Sequence, residues 1–332
     1  MSSLNTKSTE KKTEKQFTAA VIGLGNIAQG YDYSSTDDSI ILTHATAYYY
    51  NESYDLLGGV DLNKHNRKRF EQKFKVRSFD CLNELMIEQK PDVISIAVPT
   101  KIHFDIFNKI ISYTPKAIVC EKPIADSLSK AKKMINLARE NGCVLLVNYL
   151  RRFEPGTNKL KNMISEGVFG DIYKGRVWYT KGLFNNASHF IDLLIYFFGN
   201  ATKINIINKG RCWNGNDPEP DFNIEFGDIR ITFLSGRHEY FEHNKFELLA
   251  TKGIIKYGKG KIEYFLTEED PQYENYTILS SQGKNIKTDF RRSQFYAFEQ
   301  LANNLRQKIP LVSDGNTAIQ TMNVLDKIKK LL

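Results

Sequence analysis

Between residue 17 and about residue 150, short apolar runs alternate with stretches whose apolar residues recur at helical spacing. Phe17–Leu24, Asp55–Asp61, Asp92–Val98, Ala117–Glu121 and Val144–Tyr149 predict strands. Asn63–Phe74, Leu82–Gln89 and Ile102–Ile111 predict helices between them, the second behind a capping Asp80 and the third behind Pro99-Thr100. Leu128, Ala131, Ile135 and Ala138 mark a further helix after Asp126-Ser127, which Gly142 ends. Strands alternating with helices predict a parallel sheet with crossovers.

After residue 150 the pattern changes. A helix (Thr157–Ser165), a strand (Asp171–Lys181) and a helix with Phe190, Leu193, Leu194 and Phe197 on one face come first. Strand runs then follow in series: Ile204–Cys212, Phe222–Phe226, Ile229–Leu234, Phe246–Ala250, Ile254–Tyr257 and Ile262–Leu266. Arg292–Arg306 and Thr317–Leu332 read as closing helices. The expected fold is α/β, with a doubly wound parallel sheet over residues 17–150. A second, α+β domain over residues 151–332 is expected on an open, mostly antiparallel sheet, its last helices able to pack back on the first. Residues 1–16 are polar and read as a disordered lead-in without the apolar segment of a signal peptide.

Composition narrows the class. The 332 residues are 41% hydrophobic, enough for two cores, and no run approaches the roughly 20 apolar residues of a spanning helix. The four cysteines, Cys81, Cys120, Cys143 and Cys212, form no Cys-x-x-Cys pair. They read as free thiols of a reducing cytoplasm and not as disulfides or zinc ligands. The net charge of +8 is diffuse and comes with no nucleic-acid-binding module. Neither nucleic acid, membrane nor metal is expected as a partner.

Two segments carry candidate chemistry. Gly23-x-Gly25-x-x-Ala28, with Asn26 and Ile27 inside it, follows the first strand, where a dinucleotide fingerprint belongs. The first glycine permits the tight turn and the second lets the backbone approach a pyrophosphate. Asp61, ending the second strand, suits the ribose hydroxyls of NAD and repels the 2′-phosphate of NADP, although Lys64 and Arg67 follow it. The spacing from Gly23 to Asp61 is longer than the usual ~20 residues. Tyr31–Tyr50 holds the extra length and reads as a loop near the cofactor. The second segment, Glu121-Lys122-Pro123, ends the apolar run Ala117–Cys120. A charged pair at the end of a buried strand is costly unless it serves a site.

These features, with Ala97-Val98-Pro99-Thr100 and His103, Tyr149-Leu150-Arg151-Arg152-Phe153, and Ser188-His189-Phe190-Ile191-Asp192, resemble the glucose-fructose oxidoreductase/inositol dehydrogenase/MocA family from residue 17 to 330. The resemblance implies a Rossmann domain, an open-sheet domain and an NAD-dependent oxidoreductase acting on a sugar or cyclitol hydroxyl. It implies that Lys122 contacts the reacting hydroxyl and relays a proton, and that Glu121 fixes the nicotinamide-side ribose or orients Lys122. It implies that His189 is a second acid/base group and that Asn185, where many members carry aspartate, orients it or binds a substrate hydroxyl. Pro99, Thr100 and His103 fall on the cofactor loop, with His103 shaping it; His44 has a weaker claim, and Asp192 reads as structural.

Arg151, Arg152 and Lys181 suit either an anionic substrate or ion pairing between domains. The segment Lys181–His189 resembles members tied to surface polysaccharides, which favours a nucleotide-linked sugar. A free sugar, polyol or inositol is the alternative substrate, and an NAD-binding sensor is the alternative class. A homodimer or homotetramer through the carboxy-terminal sheet is expected, with runs such as Ile231-Thr232-Phe233-Leu234 offering apolar surface.

Overall fold

A computed structural model describes residues 16–332. The polar lead-in expected over residues 1–16 lies outside the described residues except for Gln16, whose amide donates to the Glu52 carbonyl at 2.9 Å.

The first unit is built on strands β1 (Phe17–Ile22), β2 (Tyr54–Val60), β3 (Arg77–Phe79), β4 (Val93–Ile96), β5 (Ala117–Cys120) and β6 (Val144–Val147). They form a six-stranded parallel sheet in the order β3-β2-β1-β4-β5-β6. Strand β5 is a continuous apolar run and β4 is buried throughout, with Ser95 its one polar residue, because helices cover both faces of the sheet. The strand order reverses between β1 and β4, so a crevice opens at their carboxyl ends. The expected strands end earlier than their apolar runs. Leu24, Asp61, Val98, Glu121 and Tyr149 have already left the sheet as loops along that crevice.

Tyr31–Tyr50 departs from the loop expected there. It carries helix α1 (His44–Tyr50), capped by Thr43. Buried Asp32 gathers the approach to this helix, accepting from the backbone of Leu42 and Thr43 and from the hydroxyls of Thr43 and Thr46. The fingerprint itself is followed by only one wide turn, Asn26–Gly30. Helices α2 (Lys64–Phe74), α3 (Leu82–Gln89), α4 (His103–Ile110) and α5 (Leu128–Glu140) complete the crossovers.

After α6 (Pro155–Ser165) come β7 (Ile172–Tyr179), α7 (Ser188–Phe198), β8 (Lys203–Trp213), β9 (Asp217–Phe226), β10 (Ile229–Ser235), β11 (Lys245–Ala250), β12 (Gly253–Gly258) and β13 (Lys261–Glu269). With β14 (Thr277–Leu279) and β15 (Lys284–Ile286) they make a nine-stranded sheet, antiparallel except where β7 meets β10. One face packs Phe222, Phe233, Phe246 and Leu248 against Phe190, Leu193 and Leu194 of α7. The run Ile231–Leu234 divides between the two faces of the sheet, with Leu234 half-buried on the face away from this core. Strand alternation turns Ile231 and Phe233 into this core, both fully buried. The other face carries the ion pairs Arg176–Glu247 and Arg230–Glu225. Helices α8 (Ser293–Gln307) and α9 (Gly315–Leu331) return to the first unit: Phe298 packs edge-on against Tyr48, and Ala318 and Met322 join the core under β5. Among the described residues no helix is long and apolar enough to cross a membrane.

Arg152, which suited either an anionic substrate or ion pairing, is committed to ion pairing and is the pin of this junction. Its guanidinium grips both carboxylate oxygens of Asp192 on α7 at 2.8 Å and donates to the Val312 carbonyl. Thr321 of α9 donates to the same carboxylate. Arg152 is 2% exposed and Asp192 1%, so neither is open to a ligand. Removing one partner leaves a buried unpaired charge. Arg152→Met is expected to lower stability by about 3–5 kcal/mol in urea unfolding, while leaving cofactor affinity of the folded protein unchanged.

Candidate active site

The cofactor side is set by backbone geometry. Gly23 holds φ +85°, and a Cβ there would lie 2.7 Å from the Val98 side chain and 2.8 Å from the Ala97 carbonyl. Glycine alone fits the close approach of β1 to the end of β4. Gly25 has open space where a side chain would be, so its backbone is free to be approached. Gly25 and Asn26 are exposed at the loop tip, and Ile27 is half-buried behind them. A cavity of about 600 Å³ runs past Gly23, Gly25, Asp61, Cys81, Val98 and Pro99. Asp61 accepts from the Leu24 N–H at 2.8 Å and from Asn66 at 3.1 Å, tying the glycine loop to the end of β2. Arg67 is committed to the carbonyls of Asp61 and Leu62 and lies 3.4 Å from Asp80.

His103 lies buried behind the loops. One ring nitrogen is 2.8 Å from the Val98 carbonyl and the other 3.0 Å from the Pro123 carbonyl. It staples the loop after β4, with Pro99 and Thr100, to the loop after β5. Thr100 and Pro123 face a second cavity of about 440 Å³, shared with Phe184 and Asp217.

Glu121 and Lys122 point to different partners. Glu121 turns inward, accepting from Asn148 at 2.5 Å and lying 2.8 Å from His44 Nε2. The other nitrogen of His44 is 3.0 Å from Ser95 Oγ, which also meets Tyr48. Burial alone pushes the Glu121 carboxyl up, but His44, Asn148 and the Lys122 charge outweigh it and hold the carboxyl below its ordinary value. No motif surrounds His44 in the sequence. Its signal is the cap at Thr43, which starts a helix that carries the imidazole to the end of β5.

Lys122 turns toward the second unit across a cis bond to Pro123. Its ammonium donates to the Asn185 carbonyl at 2.8 Å, with Asn185 Oδ1 at 3.5 Å. Burial, aided by the Arg151 charge, brings its pKa down to about 8 against the opposing pull of Glu121 and Asp217. Asn185 lies in the wide turn Gly182–Ala187 that leads into α7. His189 follows on α7, edge-on to Tyr149, and its Nδ1 finds no hydrogen-bond partner among the described residues. Burial first, then the positive charges of Arg151 and Lys122, pushes its pKa well below the usual value. The imidazole is therefore neutral near neutral pH, and the lysine is close to its own midpoint.

Arg151 and Lys181 separate. Arg151 donates to the Tyr257 hydroxyl at 3.2 Å and faces a cavity of about 670 Å³ shared with Asn186, His243, Lys245, Lys259 and Phe290. Lys181 leans toward Glu242 at 3.7 Å and is not among the residues lining that cavity. The structure adds two carboxylates that the sequence did not flag, Asp217 and Glu219 on β9, under the Gly182–Ala187 turn. Among the described residues no group of His, Cys, Asp and Glu is arranged to hold a metal.

Residues 17–149 match the oxidoreductase family with the NAD-binding Rossmann fold. The chain is 26% identical over 163 residues to the D-glucoside 3-dehydrogenase of Escherichia coli (strain K12), covering 48% of this chain and 42% of that protein. The shared stretch is thus less than half of that relative. To the scyllo-inositol 2-dehydrogenase (NAD(+)) of Bacillus subtilis (strain 168) it is 25% identical over 266 residues, covering 71% of this chain and 74% of that one. The fold matches the WlbA dehydrogenase from Bordetella pertussis, solved in complex with NADH and UDP-GlcNAcA, with a TM-score of 0.74 at 19% identity over 96% of both chains. The amino-terminal unit matches the model of this NAD-binding oxidoreductase family, the one its motifs resemble.

The His44–Glu121 contact has a pH signature. A carboxyl held low in the folded state stabilises it above the unfolded pKa, and that gain is lost as pH falls through the folded value. His44→Leu leaves Glu121 buried without its main partner and is expected to cost about 3 kcal/mol at neutral pH. The gap between wild type and variant should shrink as urea titrations are taken from about pH 7 to about pH 3. A gap that stays constant would contradict the pairing.

Proposed function

We propose that this oxidoreductase transfers hydride between a sugar carbon and the nicotinamide of NAD, with Lys122 as the acid/base group. The observation that carries the reading is the half-buried Lys122 ammonium, its pKa brought to about 8, held at the junction of the two units beside neutral His189. A lysine near its midpoint at working pH both accepts and returns a proton.

Bound NAD would supply the hydride acceptor. The Gly23–Ile27 loop would receive its pyrophosphate, and Asp61 its adenine-side ribose in preference to the 2′-phosphate of NADP. Pro99 and Thr100 would border the path toward Lys122. As a sugar C–H hydride leaves with its electron pair, the hydroxyl proton passes to Lys122 and the carbon becomes a carbonyl. His189 would accept a hydrogen bond from the same or a neighbouring hydroxyl, and Asn185 would position it.

The cavity beside Arg151 supports a substrate class. Arg151, Lys245, Lys259 and His243 converge there with Phe290. Such a lining suits an anionic arm, and a nucleotide-linked sugar carries one in its pyrophosphate. A role in making surface polysaccharides agrees with this chemistry. A homo-oligomer formed through the carboxy-terminal sheet would meet at the face that carries the ion pairs Arg176–Glu247 and Arg230–Glu225 together with half-buried Trp178 and Leu234.

Near-ultraviolet absorbance of reduced nicotinamide, followed with NAD and a panel of nucleotide-linked and free sugars, tests the reading. Absorbance should rise with a nucleotide-linked sugar. Lys122→Ala should lower that rate by roughly 10²–10⁴-fold while changing NAD affinity by no more than about threefold. No rise with any sugar, in protein shown to bind NAD, would contradict it.

A further inference from the structure

The Lys122 ammonium is held by a backbone carbonyl, and something must hold that backbone. Asn185 belongs to the turn Gly182–Ala187, whose leading N–H groups have no partners within the turn. β9 supplies them. Asp217 accepts from the Phe184 N–H at 2.9 Å with one carboxylate oxygen and from the Asn185 N–H at 3.0 Å with the other. Glu219, two residues along the strand, accepts from the Gly182 N–H at 3.2 Å and is itself held by Arg211 at 3.0 Å. The fit is close: a Cβ on Gly182 would lie 2.2 Å from the Asp217 carboxyl carbon. Asp217 is 9% exposed. At the other end of the turn, Ser188 Oγ donates to the carbonyls of Phe184 and Asn185.

We propose that Asp217 is the positioning residue for Lys122: it holds the backbone N–H of Asn185 and so fixes the residue whose own carbonyl, on the far side of its Cα, receives the lysine, and it brings the negative charge that neutral Asn185 lacks. The inference deepens the reading of Lys122 as the acid/base group and rests on it. Asp217 does not touch the reacting atoms. Its carboxylate acts through the peptide it holds and through its charge.

The groups that bear on the Lys122 charge come from four elements: Glu121 at the end of β5, Arg151 after β6, His189 on α7 and Asp217 on β9. Glu121 and Asp217 favour the charged lysine; Arg151 opposes it. Asp217→Asn removes the negative charge from β9 while keeping an acceptor for the turn. The lysine should then lose its proton more readily, at lower pH.

The test needs no turnover. In the full chain labelled with ¹³C at lysine Cε, the Lys122 resonance is assigned by its absence from Lys122→Arg and titrated by NMR. Wild type should titrate near a pKa of about 8. Asp217→Asn should lower the midpoint by about half a unit or more, and adding Asn185→Asp to it should bring the midpoint back up. A midpoint unchanged in Asp217→Asn overturns the inference, as does a double variant that stays at the lowered value. The sugar panel separates the two readings. Turnover in wild type with an unmoved midpoint leaves the proposed function standing and removes Asp217 from it. A moved midpoint without turnover on any sugar keeps the hold of Asp217 on the lysine and removes the proposed function.

Discussion

Two opposite charges on adjacent residues at the end of a fully buried strand constrain everything around them. β5 delivers Glu121 and Lys122 from a run without exposed residues. Neither charge can be left without compensation there. Glu121 is satisfied from within the first unit, by His44 and Asn148, which requires α1 to sit against the ends of β4, β5 and β6. Lys122 is satisfied from the second unit, by the Asn185 carbonyl. The two units must therefore meet along this line, and the Arg152–Asp192 pair pins them there. The crevice that a parallel sheet opens where its strand order reverses becomes a closed junction with a lysine at its floor.

The electrostatics of that junction follow from burial and from one cation. Burial disfavours the charged forms of Lys122 and His189 alike, and Arg151 pushes both the same way. The carboxylates of Glu121 and Asp217 restore part of the lysine's affinity for its proton. The outcome is a lysine whose pKa is brought down to about 8 and a histidine kept neutral, an arrangement that acid/base chemistry can use.

Much of this was legible in the sequence because it rests on local periodicity. Each strand of the first sheet but the three-residue β3 stood out as an apolar run, and Glu121-Lys122-Pro123 stood out as charge where charge is costly. Helix α1 did not, since seven residues containing Tyr48-Tyr49-Tyr50 are too short to show a helical period. That hid His44. Arg151-Arg152 could not be sorted, because only the turn between the units decides which guanidinium faces the cavity and which faces Asp192. Asp217 was hidden by its neighbours: Asn214-Gly215-Asn216-Asp217-Pro218 reads as a turn, and the strand register that places Asp217 under Asn185 is a contact between segments far apart in the chain.

The account stands or falls on Lys122 being the group that exchanges the substrate proton. The most direct measurement is the pH dependence of hydride transfer in a single turnover, with a sugar deuterated at the reacting carbon to confirm that the step observed is the transfer itself. The oxidation rate should rise with pH through a midpoint near 8 in wild type, and this limb should vanish in Lys122→Ala. The same limb persisting in Lys122→Ala would assign the proton to another group and contradict the account.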